Sequence, residues 1–156
     1  MKNIIFFLIL FLTTTNSFSK TIIGNARIID GDTINIKSNK IRLHGIDAPE
    51  TKQTCKINSA EWYCGMQSTK ELKKLINNQE VECLTNDIDI YNRYVAICIV
   101  NEININQWMV KSGWAIAYRY YSTDYIVEEK YARDNKLGIW KSEFMKPYMY
   151  RRQNKN

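Results

Sequence analysis

The stretch DGDTINIKSNKIRLHGIDAPET, residues 30–51, carries the densest chemistry in the chain. Asp32 stands at one end of what reads as a short hairpin, Asp47 and Glu50 at the other, and Arg42 between them. Carboxylates gathered without cover repel one another, and a divalent cation relieves that repulsion. Asp and Glu oxygens are hard ligands, which favours calcium or magnesium over zinc or copper. The residues alone leave a second reading open, because Asp and Gly are also what tight turns prefer. Farther on, DIDIYNR, Asp87 to Arg93, has the look of a calcium loop. It fails the helix-loop-helix pattern: Tyr91 and Asn92 stand where an acid or amide and a glycine are required, and Cys98 where the closing Glu belongs.

The elements that must position these residues are short. Thr21 to Ile29 reads as an opening strand, and Asp30-Gly31 as a turn. Ile34 and Ile36, then Ile41 and Leu43, alternate with polar residues at the period of half-buried strands, so Arg42 and His44 share one face. Gly45 to Tyr63 holds Pro49 and no sustained period, and is expected to be a loop. A helix should run from Gly65 to Asn77 on a stripe of Met66, Leu72, Leu75 and Ile76, with Asn77 and Asn78 ending it. Glu80 to Leu84 and Tyr94 to Val100 read as strands, and Asn104 as the cap of a short helix carrying Ile105, Trp108 and Met109 and stopped by Gly113. A last helix is expected from about Thr123 to Lys136, with Asp124 in its first turn. Strands and helices do not alternate regularly, which argues for α+β, and about five short strands would have exposed edges unless they closed into a barrel.

Residues 1–19 place Lys2 ahead of an apolar run from Ile4 to Leu12 and end in Ser17, Phe18 and Ser19, the pattern of an export signal cleaved before Lys20. The run is shorter than the roughly 18 residues a membrane span requires. The formal net charge of +6 becomes +5 without Lys2 (21 basic minus 16 acidic residues), which favours an anionic partner. Four cysteines in an exported chain point to disulfides, whereas wide spacing and a single histidine, His44, argue against zinc. Cys55 and Cys64 bracket a segment ending at a helix start, and Cys83 and Cys98 lie in two strands that look adjacent, so the expected pairs are Cys55 with Cys64 and Cys83 with Cys98. The expected organisation is thus a signal (1–19), one domain (20–141) and a partly loose basic tail (142–156) with Arg151 and Arg152.

Taken together, D-G-D-T at Asp30 to Thr33, R-L-x-G-I-D-A-P-E-T from Arg42 to Thr51, Y-N-R at Tyr91 to Arg93, W-x-x-x-x-G-W-A from Trp108 to Ala115, Tyr118 and L-G-I-W at Leu137 to Trp140 resemble the thermonuclease family, the staphylococcal-nuclease-like enzymes. The resemblance implies an OB-fold five-stranded β-barrel with about three α-helices. It also implies a secreted or periplasmic calcium-dependent endonuclease that hydrolyses DNA and RNA and leaves 3′-phosphate ends. By motif position, Asp32 and Asp47 would ligate Ca2+, and Glu50 would orient or deprotonate the attacking water. Arg42 and Arg93 would grip the phosphate, while Tyr91 and Tyr118 would border the nucleotide. Such an enzyme would work as a monomer, free of the membrane once the signal is removed. Asn92 replaces a glycine of the family's Y-G-R turn, a change asparagine tolerates because it accepts positive φ. The segment KINSAEWY between Cys55 and Cys64 has no counterpart in the best-known members.

The chemistry fits those residue types. A phosphodiester's own charge repels nucleophiles, so cleavage requires positive charge on the phosphoryl oxygens and an activated water. Arginine's planar fork grips two oxygens and stays protonated, which suits charge stabilisation better than acid catalysis. In AYRYYSTDY, residues 117–125, tyrosines interleave with Arg119 as in a surface that stacks bases and contacts phosphate. A non-catalytic OB-fold module that only binds nucleic acid is the competing class, and the full set of acids and arginines argues against it.

Overall fold

The structure is a computed structural model and describes residues 20–154; the expected export signal lies outside the described residues. Five strands make the barrel: β1 (Lys20–Ile28), β2 (Thr33–Ile36), β3 (Asn39–Leu43), and, after other elements, β7 (Glu80–Ile88) and β8 (Tyr94–Val100). Their order is β3-β2-β1-β7-β8, and a parallel β3–β8 pairing closes the ring. This is the expected α+β architecture, an OB-fold barrel closed so that no edge of the ring is left open.

Alternation builds the interior. Ile22, Ile34, Ile36, Ile41, Leu43, Val81, Ala96, Cys98 and Val100 point inward and are buried, while their strand neighbours face out. Each fully buried isoleucine contributes roughly 1.5–3 kcal/mol relative to exposure. Cys83 and Cys98 are register partners on β7 and β8 and form a disulfide inside the barrel, and Cys55 bonds Cys64, so both expected pairs are present.

Between β3 and β7 the chain makes β4 (Ile46–Asp47), the hairpin β5 (Cys55–Ile57) with β6 (Ala60–Trp62), and α1 (Cys64–Ile76). The segment Gly45 to Tyr63 is therefore not a plain loop: the Cys55–Cys64 bond ties a two-stranded hairpin to the first residue of a helix. Helix α1 buries Leu72 and Ile76 and ends at Asn77 in the left-handed region (φ 43°), whose N–H bonds Lys73 O. Met66, expected on its apolar stripe, is 54% exposed.

After β8 come β9 (Ile103–Asn104), α2 (Ile105–Lys111), β10 (Ile116–Ala117), α3 (Ile126–Asp134), a 3-10 turn (Gly138–Lys141) and α4 (Pro147–Gln153). Asn104 caps α2 as expected, its side chain accepting from Gln107 N at 3.0 Å. Asn106, fully buried in α2, fastens that helix to the barrel: its amide donates to His44 O and Ala96 O and accepts from Cys98 N. Helix α3 is shorter than expected, because Ser122 Oγ accepts from Asp124 N and holds that residue in the preceding turn. Gly113 and Gly138 (φ +77° and +54°) approach so closely that a Cβ on Gly138 would lie 2.2 Å from Gly113 O.

Four helices stand where about three were expected, and the fourth corrects the picture of the tail. Residues beyond Lys141 pack on the domain: Glu143 bridges Lys56 of the hairpin, Gln53 Nε2 donates to Met145 O at 2.7 Å, and Pro147 starts α4 at its first turn, where a missing N–H costs nothing. A second small core of Cys55, Cys64, Ile116 and Ile139, flanked by Trp62, Trp114, Trp140 and Phe144, lies beneath this arm.

Candidate active site

Asp32 sits in the turn between β1 and β2, held by its own N–H on Asp30 Oδ1 at 3.0 Å and by Leu43 N on its carbonyl at 2.9 Å. Arg42 lies on the outward side of β3, opposite Thr33 in register. Asp47 belongs to β4, pinned by pairing with Ile116 of β10, and Ala48 N donates to Asp32 Oδ2 at 2.7 Å. Glu50 follows in a turn closed by Gln53, whose N–H bonds Glu50 O at 2.7 Å. Gly65 lets α1 press on this turn, since a Cβ there would lie 1.7 Å from Glu50 O.

The side chains of Asp32, Arg42, Asp47 and Glu50 converge. Arg42 forks between the two buried aspartates, at 2.6 Å from Asp32 Oδ1 and 3.2 Å from Asp47 Oδ1. Sequence reasoning missed the group that completes the cluster: Arg151 of α4 lies 2.8 Å from Asp47 Oδ1 and 2.9 Å from Glu50 Oε1. Its neighbour Tyr148 donates its N–H to Asp47 Oδ2 at 2.9 Å. The signals available were Pro147, which marks a helix start, and the basic pair that follows it, but only the fold shows what they face.

The electrostatics are those of crowded acids under two guanidinium groups. Burial would raise Asp32, yet the charge of Arg42 and the Ala48 N–H hold it below the ordinary carboxylate value. Burial and the Asp32 charge raise Asp47 to about 6, against the pull of Arg151 and Arg42. Burial and the Asp32 charge likewise raise Asp30 to about 7. Arg151 is pushed above its ordinary value, its own desolvation outweighed by Asp47 and Glu50, and so stays charged.

Arg93 is not part of the converging group. It stands just before β8, whose Val95 is the register partner of Arg42, but its fork is turned onto Asp89 at 2.6 Å and over the Tyr91 ring at 5.4 Å. Asp89 organises this turn, accepting from Tyr91 N and Arg93 N, and Asn92 takes the positive φ (58°) asked of it. These bonds hold Asp89 below the ordinary carboxylate value, with burial opposing them. Tyr118 follows β10, stacks on Tyr148 at 6.0 Å between ring centres, and meets Tyr121 edge-on at 5.0 Å. Burial and the nearby Asp47 charge raise its hydroxyl. Two other polar residues have structural partners: Arg119 pairs with buried Glu129, and His44 faces Asp124.

Among the described residues no group of three or more His, Cys, Asp or Glu side chains is arranged to enclose a metal ion. The pair Asp32 and Asp47 nonetheless suits a hard cation that completes its shell with water and substrate oxygens. Among the described residues Asp32 Oδ2 accepts only from Ala48 N, and Asp47 Oδ2 only from Tyr148 N, leaving each oxygen a lone pair.

Residues 40–142 match the family described as Staphylococcal nuclease homologue. The chain is 33% identical over 148 residues to a micrococcal nuclease of Shigella flexneri (83% of this chain, 80% of that one). It is 35% identical over 137 residues to an uncharacterized endonuclease of Haemophilus influenzae (83% and 72%). It is also 31% identical over 141 residues to the succinoglycan biosynthesis protein ExoI of Rhizobium meliloti (86% and 72%). With the barrel, the Asp32–Arg42–Asp47 cluster and these matches in hand, the chain belongs to the staphylococcal nuclease homologue family.

Proposed function

We propose that this chain is an exported, calcium-dependent endonuclease that hydrolyses phosphodiester bonds of DNA and RNA and leaves 3′-phosphate ends. The observation that carries the reading is the buried pair Asp32 and Asp47 under the Arg42 fork, with Glu50 at the edge of the cluster. Nuclease names among its relatives support it. Asp32 and Asp47 hold the cation, which when bound supplies positive charge to the phosphoryl oxygens. Glu50, with its side chain 36% exposed, orients a water for attack on phosphorus or takes its proton. Arg42 and Arg93 grip the phosphate, Arg93 exchanging Asp89 for a substrate oxygen, and Tyr91 and Tyr118 flank the nucleotide. The bond from phosphorus to the 5′ oxygen breaks, that oxygen gains a proton, and the phosphate stays on the 3′ side. The protein acts as a monomer outside the cytoplasm.

A nuclease assay on the mature chain tests this. Calcium should support digestion of DNA and RNA, a chelator should stop it, and Arg93→Ala should lower the rate by about 10³-fold, as removal of phosphate-stabilising arginines does elsewhere. Full activity in chelator, or normal turnover by the Arg93 variant, defeats the respective assignment. Tight, salt-sensitive DNA binding with no cleavage under calcium, magnesium or manganese would instead mark a binding module.

A further inference from the structure

We propose that Arg151 is a positioning residue of this site, and that the Cys55–Cys64 hairpin is the anchor that delivers it. The proposal rests on the nuclease reading above, but concerns a residue nine positions beyond the matched family segment, which ends at 142. Arg151 uses both arms of its fork, one on Asp47 Oδ1 and the other on Glu50 Oε1. It thereby ties the carboxylate assigned to the cation to the one assigned to water. With Oε1 so engaged, Glu50 Oε2 accepts no hydrogen bond among the described residues and is the oxygen left to face a water. A glutamate on a surface turn otherwise samples several rotamers, and one fixed oxygen removes most of that freedom.

The same contact places a guanidinium in competition with a cation for Asp47. Arg42 and Arg151 together occupy Oδ1 of that residue, so cation binding must work against Arg151 while turnover depends on it. Loss of Arg151 therefore has opposite effects on the two, which general damage to the fold would not produce.

Nothing local to α4 would keep Arg151 in place, since the helix has only seven residues. The arm is held from outside. Lys56 and Glu143 exchange two backbone hydrogen bonds of 2.9 Å, Gln53 Nε2 grips Met145 O, and Tyr148 N reaches Asp47. Lys56 belongs to the hairpin that the Cys55–Cys64 disulfide fixes to α1, so this bond acts on the site through the arm.

The experiment compares the full mature wild type with Arg151→Gln, Arg151→Lys and the double variant Cys55→Ser/Cys64→Ser, by calcium calorimetry and by kcat and KM on DNA. Arg151→Gln should lower kcat by up to about 10²-fold, the cost of a misplaced catalytic group, with KM unchanged. It should also bind calcium about tenfold more tightly, the size of the repulsion between a partly exposed guanidinium and a nearby divalent cation where solvent keeps the effective dielectric close to that of water. Arg151→Lys should recover part of kcat, because an ammonium reaches one acid where the fork reaches two. The cysteine variant should lose kcat and show faster amide exchange at residues 148–153. Wild-type kcat and calcium affinity in Arg151→Gln overturn the proposal, as does a loss confined to KM, which would make Arg151 a phosphate contact. Wild-type protein that binds calcium but cuts nothing defeats the nuclease reading, while the calcium titration of Arg151→Gln still decides the competition for Asp47. Should the cysteine variant fail to fold, the Arg151 pair decides alone.

Discussion

Replacing Arg42 with methionine removes the cation between two buried carboxylates while keeping most of the side chain's bulk. Asp47 retains Arg151, so the stranded group is Asp32, whose side chain is 8% exposed. An uncompensated buried charge costs about 3–5 kcal/mol, and the folded protein can avoid it only by protonating Asp32. Against an unfolded value of about 3.9, protonation at pH 7 costs about (7 − 3.9) × 1.36, or about 4 kcal/mol, and at pH 5 only about 1.5 kcal/mol. The sign is fixed by the shifts: in the wild type Asp32 is held low and stabilises the fold above its unfolded value, whereas in the variant it is raised, so stability is lost as pH climbs. The gap between the two proteins must therefore widen from acid to neutral pH. Urea unfolding in chelator at pH 7 and pH 5 measures it, provided the slope with denaturant is the same for both proteins. A loss below about 1 kcal/mol at pH 7, or an equal loss at both pH values, would refute the view that Arg42 neutralises Asp32.

Three further outcomes follow from the same geometry. Gly65→Ala pushes a methyl group onto Glu50 O and should cost about 1–3 kcal/mol while lowering turnover more than tenfold, about what a displaced catalytic turn loses; normal kinetics would show that the turn gives way harmlessly. Asp30, raised to about 7, keeps in the folded chain a proton that the unfolded chain has released, so it makes stability in chelator fall as pH rises from about 4 to about 7. Asp30→Asn should flatten that slope in a series of unfolding midpoints, and an unchanged slope would assign it to other groups. Asn106→Ala orphans the Cys98 N–H and the His44 carbonyl and should cost about 2–4 kcal/mol by denaturant titration, with a loss under about 1 kcal/mol pointing to a water in its place.

The barrel strands were legible because their inward residues repeat at a period of two and few other devices compete with that signal: Ile34, Ile36, Ile41 and Leu43 all point where alternation puts them. The hairpin at Cys55–Trp62 was hidden because its strands have three residues each, too few to show a period. Met66 shows the limit of a broken stripe, since an apolar residue in the first turn of a helix need not face the core. In the site, Asp32, Arg42, Asp47 and Glu50 lie within one short stretch and could be read as a unit. Arg151 could not, because its partners are 104 and 101 positions away and its own neighbourhood, YMYRR, carries no acid to suggest a pair. Arg93 was legible as a motif residue, but its ion pair with Asp89 depends on a turn whose geometry a sequence does not print.

The two distant pairings of the barrel, β1 with β7 and the parallel seam of β3 with β8, set the order in which this molecule can assemble. The β1–β2, β2–β3 and β7–β8 pairings join nearby residues, whereas β1–β7 brings Lys20 to Thr85, a separation of 65 residues, and the seam brings Ile41 to Tyr94, a separation of 53. Loop-closure entropy must be met before such contacts return anything, so local hairpins form early and the two distant pairings late. The seam also fixes the second edge of the strand bearing Arg42, whose first edge is held by β2. The rate at which the polypeptide acquires a competent catalytic centre is thus governed by its long-range pairings, and a chain stalled before they form is a folded hairpin collection with no enzyme in it.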